Sequence, residues 1–450
     1  SISLVSIIGI LSALVISFSI QPLLFKLFIG SKTKRPITLR LFLHSVLSFG
    51  YYGLGGFLLS IISVILIPII PLSKKIKMGW FHNVLSKFMK SVLYTNPFVD
   101  KRIINTNNET FKKQAVIISN HTSFLDILAI GMLHPKIIFL VNDWVYNSPV
   151  FGKAVKLAGF YPVTSGIENG LSHLQKKVDQ GYSLMAFPEG TRSSTNKMKR
   201  FHKGAFYLAE ELKLDIVPVL IHGNSEVLPK GSFIIKNGSV TLKILDRIPF
   251  EDKTLGTTSR EKTKAISTLF KTEFNVLRNE IEHDIYFHNI ILEDYRYKGD
   301  TLYKTVKTDL INNSENYKRI IDTIAEKDSI LHISKDFGQL DFLLALDRPD
   351  RKLFTFIESD PERALVKNSY ISNTHYRISI FDSIEEALEN NAQVAIINSE
   401  HIAENQIKNI ANSVNLFILL KESRNLYSEV IFQLGYHTKF ENETLIILKK

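Results

Sequence analysis

The first acidic residue of this chain is Asp100; the 99 residues before it hold ten Lys or Arg and two long apolar stretches. Such a front suits a bilayer and its anionic surface. The first stretch, "SISLVSIIGILSALVISFSIQPLLF", begins at Ser1 and carries no charge until Lys26. A signal peptide would open on a basic region and have a shorter apolar core. We therefore expect residues 1–30 to form a transmembrane helix, and the chain to be the rear piece of a longer membrane protein.

The second stretch runs from Leu41 to Leu72, interrupted by "GYYGLGG" (Gly50–Gly56), Pro68 and Pro71. Lys32, Lys34, Arg35 and Arg40 precede it, and Lys74, Lys75 and Lys77 follow it. Basic flanks prefer the cytoplasmic side. A hairpin that dips into one leaflet, bent at the glycines, keeps both flanks there. One long tilted span is the alternative. Residues 31–95 are thus expected as a basic linker and a membrane-dipping hairpin.

The net charge of +11 is uneven: from Ile285 onward the chain has 20 basic and 25 acidic residues. The basic excess belongs to the apolar front and its neighbour, which fits a membrane surface and argues against nucleic acid. There is no cysteine, so disulfides, a thiol nucleophile and thiolate metal sites are excluded.

From about Asn96 the pattern is that of an α/β domain. "QAVIISN", "KIIFLVN", "YSLMAFPEG" and "LDIVPVLIHG" are apolar runs of strand length. "GLSHLQKKVDQG" and "KGAFYLAEELK" have helical spacing, and "TTSREKTKAISTLFKTEFNVLRNEIE" reads as a long amphipathic helix with good capping residues. After residue 284 strands and helices alternate again: "SILHIS", "KLFTFIES", "AQVAIINS", "VNLFILLK" and "ETLIILKK". That alternation predicts a second, Rossmann-like, doubly wound domain over 285–450.

Two stretches of the middle domain, 96–284, carry chemistry. In "ISNHTSFLDI", His121 and Asp126 meet only if His121 lies before the helix begins, since positions five apart on a helix diverge. Such a pair can act as a base and its orienting carboxylate. Ser123-x-x-Asp126 equally fits a helix-capping box. In "AFPEGTRSS", a strand ends at Phe187 and is followed by Glu189, Gly190, Thr191 and Arg192. The glycine permits a tight turn and close approach, and the guanidinium suits phosphate oxygens. A surface turn with a solvated arginine is the plainer reading.

Together these stretches resemble the glycerolipid acyltransferase family, which includes the 1-acylglycerol-3-phosphate acyltransferases. Its N-H-x4-D motif is matched by Asn120, His121 and Asp126; its F-P-E-G-T-R-S motif by Phe187 to Ser193; its strand-with-proline motif by "IVPV" with Pro218. The likeness spans about Pro97 to Phe250. A further motif departs: where the family has an arginine, "GFYPVTS" ends on Ser165, so that either another basic group such as Lys203 or Arg200 compensates or the acceptor is not lysophosphatidate.

The resemblance implies a membrane-bound enzyme that moves a fatty acyl group from acyl-CoA or acyl carrier protein to the hydroxyl of a lysophospholipid such as 1-acylglycerol-3-phosphate. His121 and Asp126 are the implied catalytic residues. Asn120, Glu189, Gly190, Thr191, Arg192 and Lys203 are the implied substrate-binding ones. No metal and no cofactor are implied for acyl transfer.

Residues 1–30 also resemble the last membrane helix of lipid exporters related to the resistance-nodulation-division transporters, which would put an upstream transporter region in the same polypeptide. They imply an inner-membrane protein with its catalytic domains on the cytoplasmic side. The unit over 285–450 is similar to class I S-adenosylmethionine-dependent methyltransferases. Gly338 and Glu358 stand at its cofactor positions, and S-adenosylmethionine is the cofactor that likeness implies. Two alternatives stand beside the leading reading. One is acylation of a specialised exported lipid or pigment by a transporter–acyltransferase–methyltransferase fusion. The other, not enzymatic, is a lipid-binding module of an exporter.

Overall fold

The computed structural model describes residues 2–22, 39–193, 197–282, 285–296, 298–373 and 377–450. Lys32, Lys34 and Arg35, and the end of the first apolar stretch, lie outside them. The described part of that stretch is an apolar helix, Ile2–Val15, continued by a π-helical turn, Ile16–Ile20. The chain divides into two compact units, one of which is Arg40–Ile281 and the other of which contains Glu282–Lys450.

The unit Arg40–Ile281 opens with α1, Leu39–Ile69, the one helix among the described residues that is long and apolar enough to cross a membrane. At 1.5 Å per residue it is about 46 Å long. The expected bend at the glycines is absent: the helix runs unbroken through Gly50–Gly56. Two of those glycines, Gly55 and Gly56, serve packing instead, while a Cβ on Gly50 or Gly53 would meet nothing within 4 Å. A Cβ on Gly55 would lie 2.1 Å from the Phe88 ring, and one on Gly56 would lie 1.7 Å from the Phe151 ring. The chain turns only after Ile69, where Ile70 is extended and Pro71 has no N–H to continue a helix. A hairpin does form, but its second arm is α2, Lys74–Tyr94. Tyr51 Oη pairs with Ser91 Oγ at 2.8 Å, and Lys77 Nζ donates to the Pro68 carbonyl, so the arms run antiparallel. Phe81, Met89, Val92 and Leu93 of α2 join the same apolar core as the strands that follow. Residues 40–95 are therefore part of this unit rather than a separate element.

The sheet of this unit has the order β1-β7-β6-β2-β5-β3-β4. Its strands are β1 (Val99–Ile104), β2 (Ala115–Ser119), β3 (Ile137–Val141), β4 (Tyr161–Pro162), β5 (Ser183–Ala186), β6 (Asp215–His222) and β7 (Gly238–Ile244). β2, β3, β5 and β6 are buried along their whole length, as strands covered on both faces must be. β2 is parallel to β5 and to β6, with Ile118 opposite both Ala186 and Pro218. α3 (Leu125–Gly131) follows β2 and is pinned to α2 by Ser86 Oγ, which donates to the Gly131 carbonyl at 2.8 Å. The long helix α4 is Ser259–Ile281; Glu261 Oε2 accepts from the Thr257 and Thr258 amides, and Thr258 Oγ1 accepts from the Glu261 amide. This is the capping read from the sequence.

The unit containing Glu282–Lys450 holds a second seven-stranded sheet, β10-β9-β8-β11-β12-β14-β13. These are β8 (Ser329–Ser334), β9 (Lys352–Ile357), β10 (Arg377–Phe381), β11 (Val394–Asn398), β12 (Leu416–Leu420), β13 (His437–Glu441) and β14 (Leu445–Lys449). β8 to β12 are parallel, and β14 is antiparallel to both its neighbours. The strand order reverses between β8 and β11, as in a doubly wound fold. This agrees with the strand–helix alternation read from the sequence, and β13 and β14 add an antiparallel hairpin at the sheet's end.

Candidate active site

Because β2 and β5 are parallel neighbours, the loops after them leave the same edge of the sheet, where ligands of such sheets bind. His121 stands in the loop after β2, ahead of α3, and Asp126 is in the first turn of that helix. His121 Nδ1 lies 2.8 Å from Asp126 Oδ2. A carboxylate only accepts, so Nδ1 carries the proton and Nε2 is left with a lone pair. The same Oδ2 accepts from the amides of Thr122 (2.7 Å) and Ser123 (2.8 Å), and Oδ1 accepts from Asn224 Nδ2 at 2.7 Å. The carboxylate thus meets the imidazole and also ties down the turn before the helix, although Ser123 Oγ accepts from the Leu125 amide rather than completing a capping box. Asp126 is fully buried, and its four donors hold it in one position. Phe187 lies flat on the imidazole, with ring centroids 3.9 Å apart and planes at 12°.

His121, Gly190, Thr191 and Arg192 line one cleft of about 1060 Å³ including its open mouth. The loops are joined directly, since the Ser193 amide donates to the His121 carbonyl at 2.7 Å. Gly190 has a φ of +69°, a backbone shape that favours glycine.

Three of the expected binding residues stand elsewhere. Asn120 is buried, and its amide exchanges two bonds of 2.8 Å with the backbone of Ile221, locking β2 to β6. Glu189 is buried too. One oxygen accepts from the His121 amide at 2.8 Å and the other from the Lys199 amide at 2.7 Å. It braces the two loops from behind. Burial raises its carboxyl to about 7, against those two backbone bonds, which favour the ionised form. Lys203 is exposed just before a short helix, Gly204–Glu211, and is not among the cleft's lining residues. Neither is Arg200 or Ser165.

Other residues take those places. Lys230, in the loop after β6, lines the cleft, and Lys199 Nζ donates to Thr191 Oγ1 at 3.0 Å and to the Arg192 carbonyl at 2.8 Å. Asn224 is fully buried behind Asp126. The "HGNSEVLPKG" stretch after β6 offered a turn signal in its glycines and proline, but nothing that assigned Asn224 or Lys230 to this site. Beside the cleft lies an apolar cavity of about 720 Å³ between the hairpin and the sheet, bounded by residues that include Tyr52, Leu59, Phe88, Phe151 and Ala154. It shares Phe124, Ile127, Val141, Trp144 and Val145 with the cleft.

Comparisons with known proteins match the stretch of chain that carries this pair and this turn. Residues 101–222 match the acyltransferase family. Over 171 residues the chain is 30% identical to the chloroplastic 1-acyl-sn-glycerol-3-phosphate acyltransferase LPAT1 of Arabidopsis thaliana, covering 36% of this chain and 48% of that protein. The chain spans about half the length of the curated relatives it matches. Among solved structures, the 1-acyl-sn-glycerophosphate acyltransferase PlsC of Thermotoga maritima is similar at 20% identity and a TM-score of 0.47, covering 53% of this chain and 98% of that one. The M. capricolum TrmK complex with S-adenosyl-homocysteine is similar at 15% identity and a TM-score of 0.24, covering 30% of this chain and 67% of that one.

Outside the segment that matches the acyltransferase family, the loops after β8 and β9 hold the cofactor positions implied for the second unit, Gly338 in the first and Glu358 in the second. In the loop after β8 the backbone N–H groups are engaged within the protein. Lys335 N donates to the Asn398 carbonyl, Asp336 N to Ser334 Oγ, Phe337 N to Gln339 Oε1 and Gly338 N to Asp336 Oδ1. Gly338, with φ +77°, leaves its missing side chain's place to Val366, whose methyl would lie 2.8 Å from a Cβ there. Glu358 is held at both oxygens, by Ser399 Oγ and by His401 Nδ1 at 3.2 Å. With its amides already bonded, this loop offers S-adenosylmethionine no free backbone donor, whereas Glu358, with one bond at each oxygen, keeps lone pairs for further donors. In this conformation the Gly338 amide is not free for the role the resemblance gave it.

Proposed function

We propose that the unit Arg40–Ile281 is a membrane-bound O-acyltransferase acting on a lysophospholipid of the 1-acylglycerol-3-phosphate kind, in phospholipid biosynthesis. The observation that carries the reading is that His121, fixed by a buried Asp126, and Arg192 share one cleft. His121 Nε2 takes the proton of the acceptor hydroxyl as its oxygen attacks the thioester carbonyl. The C–S bond of the tetrahedral adduct then breaks, and the leaving thiolate takes the proton back from the imidazolium. The products are an ester and a free thiol, with no acyl-enzyme. Asp126 holds the tautomer and stabilises the imidazolium. Thr191 and Arg192 receive the anionic end of the acceptor, and the apolar cavity beside Trp144 and Ile127 takes an acyl chain. The exposed Leu43, Leu47, Leu54 and Leu58 of α1 support seating in lipid, so that acceptors enter from the bilayer. Acyl-CoA or acyl carrier protein is the donor, and the catalytic side is the cytoplasmic face of the inner membrane, with a transporter region upstream. Acylation of a specialised exported lipid or pigment is favoured by Ser165 in place of the family's arginine and by the transporter-like front.

The test is mass spectrometry of the lipids formed by the purified full chain from mixed lysolipids and acyl thioesters. Phosphatidate should form with wild type. His121→Ala should lower the rate by about 10²–10⁴-fold. Equal product from both proteins would remove the proposal.

A further inference from the structure

Ser165 leaves the acceptor's phosphate short of a cation, if the family pattern is the measure. It ends a short 3-10 turn, Val163–Ser165, and is exposed. The cleft is nonetheless strongly positive. Its lining includes Arg192 and Lys230 and not one Asp or Glu. The nearby carboxylate, Glu189, faces the other way and is spent on two backbone amides.

Lys230 comes from a different part of the chain, yet its position is set by the same parts that set His121. Ser123 Oγ, two residues after His121, donates to the Leu228 carbonyl at 2.8 Å, and the Ile235 amide donates to Ser45 Oγ of α1 at 2.9 Å. Between those anchors Lys230 Nζ reaches the Arg192 carbonyl at 3.2 Å, and Lys199 Nζ reaches the same oxygen at 2.8 Å. Two lysine ammonium groups therefore meet on the backbone of Arg192, whose residue lines the same cleft as Lys230. Neither lysine, nor Arg192, has a carboxylate ion-pair partner among the described residues. Like charges at this spacing repel, and an anion between them relieves the repulsion.

Resting on the acyltransferase reading, we infer that Lys230 is the second phosphate-binding cation of this enzyme. With Arg192 it grips the acceptor's terminal phosphate, taking the task that falls vacant at Ser165. The site prefers a phosphate monoester, which carries nearly two charges at neutral pH, over neutral acceptors. Lys199 is a positioning residue that holds Thr191 and the Arg192 backbone.

The experiment measures acyl transfer by the purified full chain to lysophosphatidate and to monoacylglycerol, for wild type, Lys230→Met and Lys230→Arg. A charge-assisted phosphate contact supports an effect of about tenfold or more. Lys230→Met should raise KM for lysophosphatidate by that factor, with kcat moved far less, and should erode the preference for lysophosphatidate over monoacylglycerol by the same factor. Lys230→Arg should restore most of it. A Lys230→Met selectivity within twofold of wild type would overturn the inference while leaving acyl transfer intact. Wild type that prefers monoacylglycerol would do the same. No transfer by wild type to either acceptor overturns the acyltransferase reading itself, and the inference with it.

Discussion

Asn224 Nδ2 donates to Asp126 Oδ1 at 2.7 Å, joining the turn after β6 to the first turn of α3 across 98 residues of sequence. It is the donor to the face of the carboxylate that His121 leaves unused. Asn224→Ala would strand that oxygen in a fully buried setting. Removing a hydrogen bond to a charged group costs about 1.5–3 kcal/mol. We expect a less stable unit and a kcat lowered about tenfold, with KM for the acceptor little changed. Steady-state kinetics beside urea unfolding would check it; an unchanged kcat would show that Asp126 needs no such brace.

Glu189 gives the unit a pH dependence whose sign follows from its carboxyl being raised from 4.5 to about 7. The folded state holds the proton more tightly than the unfolded one between those values. Stability present below pH 4.5 is therefore lost as pH climbs through 7, by up to roughly 3 kcal/mol. Glu189→Gln does not titrate, and its amide offers one acceptor where two backbone amides need partners. The variant should be less stable than wild type at pH 5, and the gap should narrow by pH 8. Both tryptophans, Trp80 and Trp144, lie in this unit, so their fluorescence during urea unfolding reports on it alone. A gap that widens with pH would contradict the assignment.

The apolar cavity makes a prediction about chain length. Ala154 is buried on its wall. Ala154→Phe would fill space that an acyl chain occupies, at a packing cost of about 1–3 kcal/mol. The ratio of kcat/KM for an octanoyl over an oleoyl thioester should rise at least about tenfold, since each excluded methylene forfeits about 0.8 kcal/mol of burial. A ratio that does not move would place the chain elsewhere.

For the unit containing Glu282–Lys450, calorimetric titration of the full chain with S-adenosylmethionine should give no binding heat. The amides of Lys335, Asp336, Phe337 and Gly338 are already bonded, so the loop has no backbone donor to give. Stoichiometric binding at micromolar affinity would mean that this loop opens.

The sequence alone determined much that is local. Strand-length apolar runs, separated by helical ones, specify two parallel-rich sheets, because strands covered on both faces must be apolar throughout. The order of His121, Asp126 and the Phe187–Ser193 turn put the His–Asp pair beside that turn, because loops that follow parallel strands emerge at one edge. Gly50–Gly56 misled, because glycine inside a run reads as a bend, whereas here Gly55 and Gly56 make room for Phe88 and Phe151, partners no spacing rule could name. Glu189 and Asn120 look like ligands in the linear motif and are braces in the fold. Asn224 and Lys230 carry no signal at all, since only the return of β6 beside β2 brings them to the site. Periodicity records which faces are buried; which polar group meets which is decided by contacts between distant segments, and those exist only once the sheet has formed.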